Sequence, residues 1–152
     1  IRLGRQGAWQ HHRLDFLDNT CMRLKFMRGL QGGKMSSSKP KSYIALTDDI
    51  EDAKEKIDQA RTGAQDSLEE HREKGANIEE DMVFELLAFH LIEDDEELER
   101  IREEYSSGEM LSGELKQIAK DRLEDFLEEH QRKRAEAEEE VEQYLEDHTA
   151  VR

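Results

Sequence analysis

The sequence predicts a mainly α protein, a helical bundle running from about residue 47 to residue 147. Two observations carry this prediction. Four positions show a small polar residue followed three later by glutamate, the pattern that opens helices by satisfying their free N–H groups: Asp48 with Glu51, Ser67 with Glu70, Asn77 with Glu80, and Asp94 with Glu97. Each such cap contributes on the order of 1 kcal/mol. Apolar residues then recur at helical spacing behind these caps, so a composition of 35% hydrophobic and 40% charged residues still has a core to bury.

In chain order, residues 1–25 show no clear period. The adjacent His11 and His12 point apart on any regular element and have no Cys, His or Asp cluster nearby, so they predict no metal site. Tyr43-Ile44-Ala45-Leu46 reads as a short strand or an extended tether. The first helix opens at Asp48. The second opens at Ser67 and ends at Gly75. The third opens at Asn77 and carries Met82, Val83, Leu86, Leu87, Phe89 and Leu91. It is apolar nearly all round, which predicts the buried centre of the bundle. The fourth opens at Asp94, puts Leu98, Ile101 and Tyr105 on one face, and stops at Gly108. The last helix, from about Ser112 to Glu146, places Leu115, Ile118, Ala119, Leu123, Phe126, Leu127, His130, Ala137, Val141 and Leu145 along one stripe. The predicted division is an unassigned segment 1–25, a loop and tether 26–46, a helical domain 47–147 and a tail 148–152.

The net charge is −15, but it is unevenly spread. Residues 1–41 hold nine Lys/Arg against two Asp/Glu, a net +7; residues 42–152 hold fourteen against thirty-six, a net −22. A strongly acidic helical part argues against nonspecific binding to nucleic acid, which rests on basic surfaces. It suits high salt, where a Debye length of about 3 Å at 1 M screens self-repulsion. One cysteine, Cys21, excludes an internal disulfide and fits a reducing cytoplasm. No secretory signal is visible, and no apolar run approaches the ~20 residues of a membrane span.

Residues 32–40 read Gly-Gly-Lys-Met-Ser-Ser-Ser-Lys-Pro. Two glycines give the backbone freedom, Lys34 adds a mobile cation, and Ser36, Ser37 and Ser38 add hydroxyls and N–H groups in a row. Such a loop can wrap polyphosphate. The GxxxxGK[ST] spacing of a Walker loop is absent. On composition alone, a Ser/Gly linker fits as well.

The order of residues favours the first reading. Lys34-Met35-Ser36-Ser37-Ser38 resembles the Lys-Met-Ser-Lys-Ser signature of class I aminoacyl-tRNA synthetases, and the wider string Gly29 to Pro40 resembles its form in archaeal and eukaryotic tryptophanyl-tRNA synthetases. The likeness continues in order through Leu46-Thr47-Asp48, Thr62-Gly63, Glu70-His71-Arg72, Gly75-Ala76-Asn77, Glu93-Asp94-Asp95, Tyr105 to Gly108 and Met110 to Lys116. It covers roughly residues 26–147. The HIGH-type signature of the Rossmann-type catalytic domain does not occur. The resemblance therefore implies the C-terminal part of such an enzyme: a remnant of the catalytic domain, its catalytic loop, and the helical anticodon-binding domain.

The resemblance implies further roles. Lys34 would act over the phosphates of ATP, with Met35, Ser36, Ser37 and Ser38 completing the ATP-binding loop and Mg2+ carried by the nucleotide. Ser37 stands where the signature has its second lysine; Lys39 lies two positions on. The turn Thr62-Gly63-Ala64-Gln65-Asp66 and the segment Gly113-Glu114-Leu115-Lys116 would face the anticodon, with Gln65, Asp66 and Lys116 as contacts and Arg72 and Lys74 as candidates for the RNA backbone. An acidic acceptor such as Asp66 reads a cytosine amine well. Tyr105 is either a stacking platform for a base or part of the core. His71, His90 and His130 read as structural. The implied partners are tryptophan tRNA, tryptophan and ATP, in a cytoplasmic, homodimeric full enzyme. Together with the acidic surface, the likeness points to a halophilic archaeal source. This chain alone is expected to be inactive in aminoacylation; the alternative reading is a stand-alone helical tRNA-binding or interaction module without catalytic activity.

Overall fold

The computed structural model describes residues 27–149; the predictions for residues 1–25, including the His11–His12 pair and Cys21, lie outside the described residues. Five helices follow one another: α1 (Ile50–Asp58), α2 (Leu68–Lys74), α3 (Met82–Leu86), α4 (Asp95–Ser107) and α5 (Ser112–Thr149). Single 3-10 turns occupy Pro40–Ser42 and Ile78–Glu80. No strand occurs among the described residues, so the stretch after the loop is a tether, with Tyr43 extended.

The predicted caps hold at α2 and α4. The Ser67 hydroxyl accepts from the Glu70 N–H at 3.1 Å, and the Asp94 carboxylate accepts from the Glu96 N–H at 2.9 Å. Gly75 and Gly108 close these helices with φ of 70° and 83°, values open mainly to glycine. Two predicted caps are displaced. Asp49, not Asp48, caps α1 by accepting from the Glu51 N–H at 3.0 Å, while Asp48 turns back to accept from the Ala45 N–H at 2.8 Å and pairs with Lys56 at 2.5 Å. Asn77 caps only the 3-10 turn, and Asp81 caps α3, its Oδ1 accepting from both Val83 and Phe84 N–H at 2.8 Å. A carboxylate serving two aligned donors outcompetes a single bond to an exposed amide.

α3 is the buried centre, as its pattern predicts: Val83 and Leu87 are fully enclosed. The first half of α5 packs across it through Leu115, Ala119, Leu123 and Leu127, and α1 lies along α5 with Ala53 and Ile57 buried in the same core. α2 lies on α4, and α4 on α5. Burying each such Leu or Ile contributes ~1.5–3 kcal/mol. Two apolar predictions fail. Phe89 is 41% exposed because α3 runs on into a wide π-type turn, Leu87–Leu91, closed by Ile92 N–H to Leu87 C=O at 3.0 Å; the added residue turns the ring outward. The α5 stripe also surfaces, with Val141 56% and Leu145 55% exposed. Among the described residues no helix is long and apolar enough to cross a membrane.

Candidate functional site

The loop is fixed at its base and open at its tip. Arg28, just before it, grips Glu85 of α3: its Nε and Nη2 donate to Oε2 at 3.0 and 2.7 Å, its own N–H donates to Oε1 at 2.7 Å, and Nη2 also reaches the Glu79 carbonyl at 2.6 Å. Glu85 is nearly buried, so a two-pronged guanidinium is the partner it requires. Gly29 donates to the Gly33 carbonyl and Leu30 to the Ser42 carbonyl, at 2.7 and 3.0 Å. A Cβ at Gly29 would lie 2.7 Å from the Ser42 carbonyl oxygen, which is why a glycine stands there.

Ser42 closes the loop from inside. It is buried, its Oγ accepts from the Ser36 N–H at 3.1 Å, and its single proton goes to the Lys39 carbonyl at 2.7 Å, with the Ser36 carbonyl at 3.2 Å. Beyond this clamp, the N–H groups of Gly33, Lys34, Met35, Ser37 and Ser38 find no acceptor among the described residues. The Ser36 and Ser38 hydroxyls touch at 2.9 Å. Lys34, Ser36, Lys39 and Lys41 share the lining of one open hollow, closed on the far side by Gln31 and Gln59. The lysines are exposed and form no ion pair among the described residues. Met35 points the other way, into an apolar cavity of about 320 Å³ with Leu30, Leu86 and Leu127. The donor set and cations fit a polyphosphate. No group of three or more metal-ligating residues gathers among the described residues.

The turn 62–66 is held far more tightly. The buried Asp81 carboxylate that caps α3 turns its second oxygen to the Gly63 N–H at 2.8 Å and the Tyr105 hydroxyl at 2.7 Å. The Gly63 carbonyl accepts from Asn77 N–H at 2.8 Å, so closely that a Cβ at Gly63 would sit 1.9 Å from the Asn77 oxygen. Tyr105 is therefore core, not a stacking platform. Burial, then the Asp81 charge, pushes its phenol far above the usual tyrosine range. Gln65 bonds the Gly75 carbonyl at 3.0 Å. Gln65 and the exposed Asp66 share a shallow hollow with Ser112, Gly113 and Glu114 at the start of α5.

Lys116 is not part of that hollow. Its ammonium donates to the Asp58 carbonyl at 2.6 Å, at the negative C-terminal end of α1, where Lys120 also pairs with the Asp58 carboxylate at 3.0 Å. Arg72 binds the Gly108 and Glu109 carbonyls at 3.1 and 2.8 Å, and Lys74 pairs with Glu70. His71 is buried and bonded through Nε2 to the Met110 carbonyl at 2.8 Å, His90 meets the Met27 sulfur 63 positions away, and His130 stacks on Phe126 one turn before it. Sequence reasoning missed Arg28, Ser42, Asp81 and Glu85. Only Asp81 left a signal, a carboxylate one residue before an apolar helix.

A lysine-bearing loop set on a helical bundle is the arrangement that the sequence blocks imply. The family model for class I tRNA synthetases specific for tryptophan and tyrosine matches residues 1–128, including the first 25 residues that the motif blocks leave unassigned. The chain belongs to this family of enzymes. Within it, the relatives are tryptophan–tRNA ligases. The one from Methanosarcina acetivorans is 48% identical over 120 residues, 79% of this chain and 28% of the relative. That from Methanocaldococcus jannaschii is 44% identical over 139 residues, 91% of this chain and 38% of the relative. The crystal structure of tryptophanyl-tRNA synthetase from the hyperthermophilic archaeon Aeropyrum pernix K1 superposes with a TM-score of 0.70 at 44% identity, over 71% of this chain and 29% of that one. The chain thus spans about a third of the length of these relatives.

Proposed function

We propose that this chain supplies two parts of a tryptophan–tRNA ligase: the loop that attends ATP during tryptophan activation, and a helical face that reads the tRNA anticodon. Family membership together with the open, cationic tip of the loop carries this reading. Lys34 neutralises the charge that moves onto pyrophosphate as tryptophan carboxylate attacks the α-phosphate. Ser36, Ser37 and Ser38 present N–H groups and hydroxyls to the phosphate oxygens, and Lys39, in the same hollow, supplies charge that Ser37 lacks. Met35 stays in its apolar cavity as the hinge-side anchor, and Mg2+ enters bound to ATP. Residues 47–147 form the domain that meets tRNA through Gln65 and Asp66. Lys116, held on the Asp58 carbonyl outside the hollow of Gln65 and Asp66, takes no part in this contact.

Two measurements test this reading. In a ligase carrying this segment together with its catalytic half, Lys34→Ala should reduce tryptophan-dependent pyrophosphate exchange through kcat, because removing one donor that strengthens in the transition state costs ~2.7–4 kcal/mol. The 152-residue chain alone should show no exchange, since proximity of both substrates supplies much of the barrier lowering. Titrated with anticodon stem-loops in high KCl, the chain should prefer the tryptophan anticodon, and Asp66→Ala should relax discrimination at one base by ~1–3 kcal/mol. An unchanged kcat in Lys34→Ala, or equal affinity for tryptophan and scrambled anticodons, overturns the corresponding half.

A further inference from the structure

The two candidate regions are joined by one short segment, Gln59–Gly63, and its bonds alternate between them. On the loop side, the Gln59 carbonyl accepts from Gln31 Nε2 at 3.0 Å, and the Arg61 N–H donates to the Leu30 carbonyl at 2.8 Å. On the turn side, the Arg61 carbonyl accepts from Met82 N–H at 3.1 Å, and Gly63 is bound to Asp81 and Asn77. Ala60, between them, is buried and pins the segment to the core.

One side chain repeats this double attachment. The Arg61 stem lies against Gly32, where φ is 85° and a Cβ would come 3.2 Å from Arg61 Cδ. Its guanidinium pairs with Glu80 at 2.5 Å, in the 3-10 turn that leads into Asp81. Arg61 therefore touches the base of the ATP loop through backbone and side chain, and the frame of the 62–66 turn through the same two groups. A shift of Gly63 relative to Asp81 moves Arg61, and with it the positions of Leu30 and Gly32.

We propose that Arg61 is a positioning residue that couples the 62–66 turn to the catalytic loop, so that RNA seated on the turn orders residues 29–42. The RNA half of the statement rests on the anticodon reading; the coupling itself does not. Physical coupling of this kind is recognised by reciprocity and by non-additivity rather than by proximity.

The experiment is amide hydrogen exchange on the 152-residue chain, first without RNA. Tyr105→Phe removes one hydroxyl from Asp81 and disturbs the turn frame. It should speed exchange of the Gly32, Lys39 and Ser42 amides by at least ~5-fold, the low end of usual coupling factors. The amides of Leu123 and Leu127 serve as the measure of global opening, to be subtracted. In an Arg61→Ala background the same change should move the loop amides less than about two-fold beyond that measure. Equal effects in both backgrounds overturn the role of the Arg61 side chain, since the backbone bonds of residue 61 to Leu30 and Met82 survive its truncation; loop amides that do not respond to Tyr105→Phe in the wild-type chain overturn the coupling. Glu80→Ala, which releases the guanidinium but keeps the stem, is the second variant should Arg61→Ala fold poorly, and it too should blunt the transmission.

The second arm adds the tryptophan anticodon stem-loop. It should slow loop exchange in the wild-type chain and not in Arg61→Ala. Slowing in both overturns the role of Arg61. A stem-loop that fails to bind the wild-type chain removes the anticodon reading, and the RNA-free arm still decides the coupling.

Discussion

The loop at 32–40 and the turn at 62–66 are held in opposite ways. The loop is clamped at its base by Ser42 and by the Arg28–Glu85 grip, and its tip leaves consecutive N–H groups and two lysines facing outward. The turn has its glycine wedged against Asn77 and bonded to a buried carboxylate that is itself shared with Tyr105 and α3. The difference fits the chemistry that each would perform. A group that follows a moving charge needs donors with no prior partner. A surface that discriminates bases needs fixed geometry, because a shifted donor or acceptor loses the discrimination that it exists to provide.

The sharpest way to break this contrast is Gly63→Ala. A methyl group 1.9 Å from a backbone oxygen cannot be absorbed by a flexible neighbour. The turn must leave Asp81, taking the Gly63 N–H from a buried carboxylate that then keeps only Tyr105, Val83 and Phe84 as donors, and must also give up its bond to Asn77. Loss of several kcal/mol is expected, more than ~3, with a lowered midpoint in urea. The matching change in the loop, Gly33→Ala, meets nothing within 4 Å and should leave the midpoint within ~0.5 kcal/mol. Similar midpoints for the two variants would remove the distinction between a locked turn and an open loop.

This contrast was only half legible in the sequence. Helix existence was readable because caps and apolar spacing are local: Ser67, Asp94, Gly75 and Gly108 act within one turn of the residues that reveal them. Asp48 misled because Asp49, one residue on, takes the Glu51 N–H while Asp48 turns back to Ala45; Asn77 misled because its bond to the Glu79 N–H serves only the 3-10 turn, and the buried Asp81 caps the helix that follows. The loop was recognisable by its residue order, yet what holds it was not. Arg28 meets Glu85 across 57 positions, and Glu85 sits in a helix whose pattern is otherwise apolar. Ser42 looks like any loop serine until its burial is known. Lys116 was read as an exposed RNA contact, and the structure sets its ammonium on the end of α1, a long-range match that spacing does not encode.

Tyr105 offers an intermediate test of the locked region. Burial and the Asp81 charge raise its phenol pKa, so the folded state favours the protonated form. A group raised in the folded state gives its full contribution below its unfolded value, about 10 for tyrosine, and loses it as pH climbs beyond that. Stability should therefore be insensitive to this residue through neutral pH and fall above about pH 10. Tyr105→Phe should cost ~1.5–3 kcal/mol at pH 7, the worth of a hydrogen bond to a charged group. The variant should also flatten the alkaline decline, measured by urea denaturation at pH 8 to 11. A decline as steep in the phenylalanine variant would assign it to other groups.

The smallest effect, and the one that speaks most directly to the open loop, is expected from Ser42→Ala. The hydroxyl accepts the Ser36 N–H and donates to the Lys39 carbonyl, so its loss strands the Ser36 N–H, while the Lys39 carbonyl keeps the Ser42 N–H at 2.8 Å. A stranded buried group ordinarily costs ~1–3 kcal/mol. Here the loop can escape most of that by opening to water, since Arg28 keeps its base attached to the bundle. The penalty then appears as local unfolding rather than as a lower global stability. The urea midpoint should move by no more than ~0.5 kcal/mol, while the Ser36 and Lys39 amides lose most of their protection from exchange and those of Leu123 and Leu127 keep theirs. A midpoint lowered as far as that of Gly63→Ala would show that the loop is part of the cooperative core, and that its open tip is no freer to follow a ligand than the turn is.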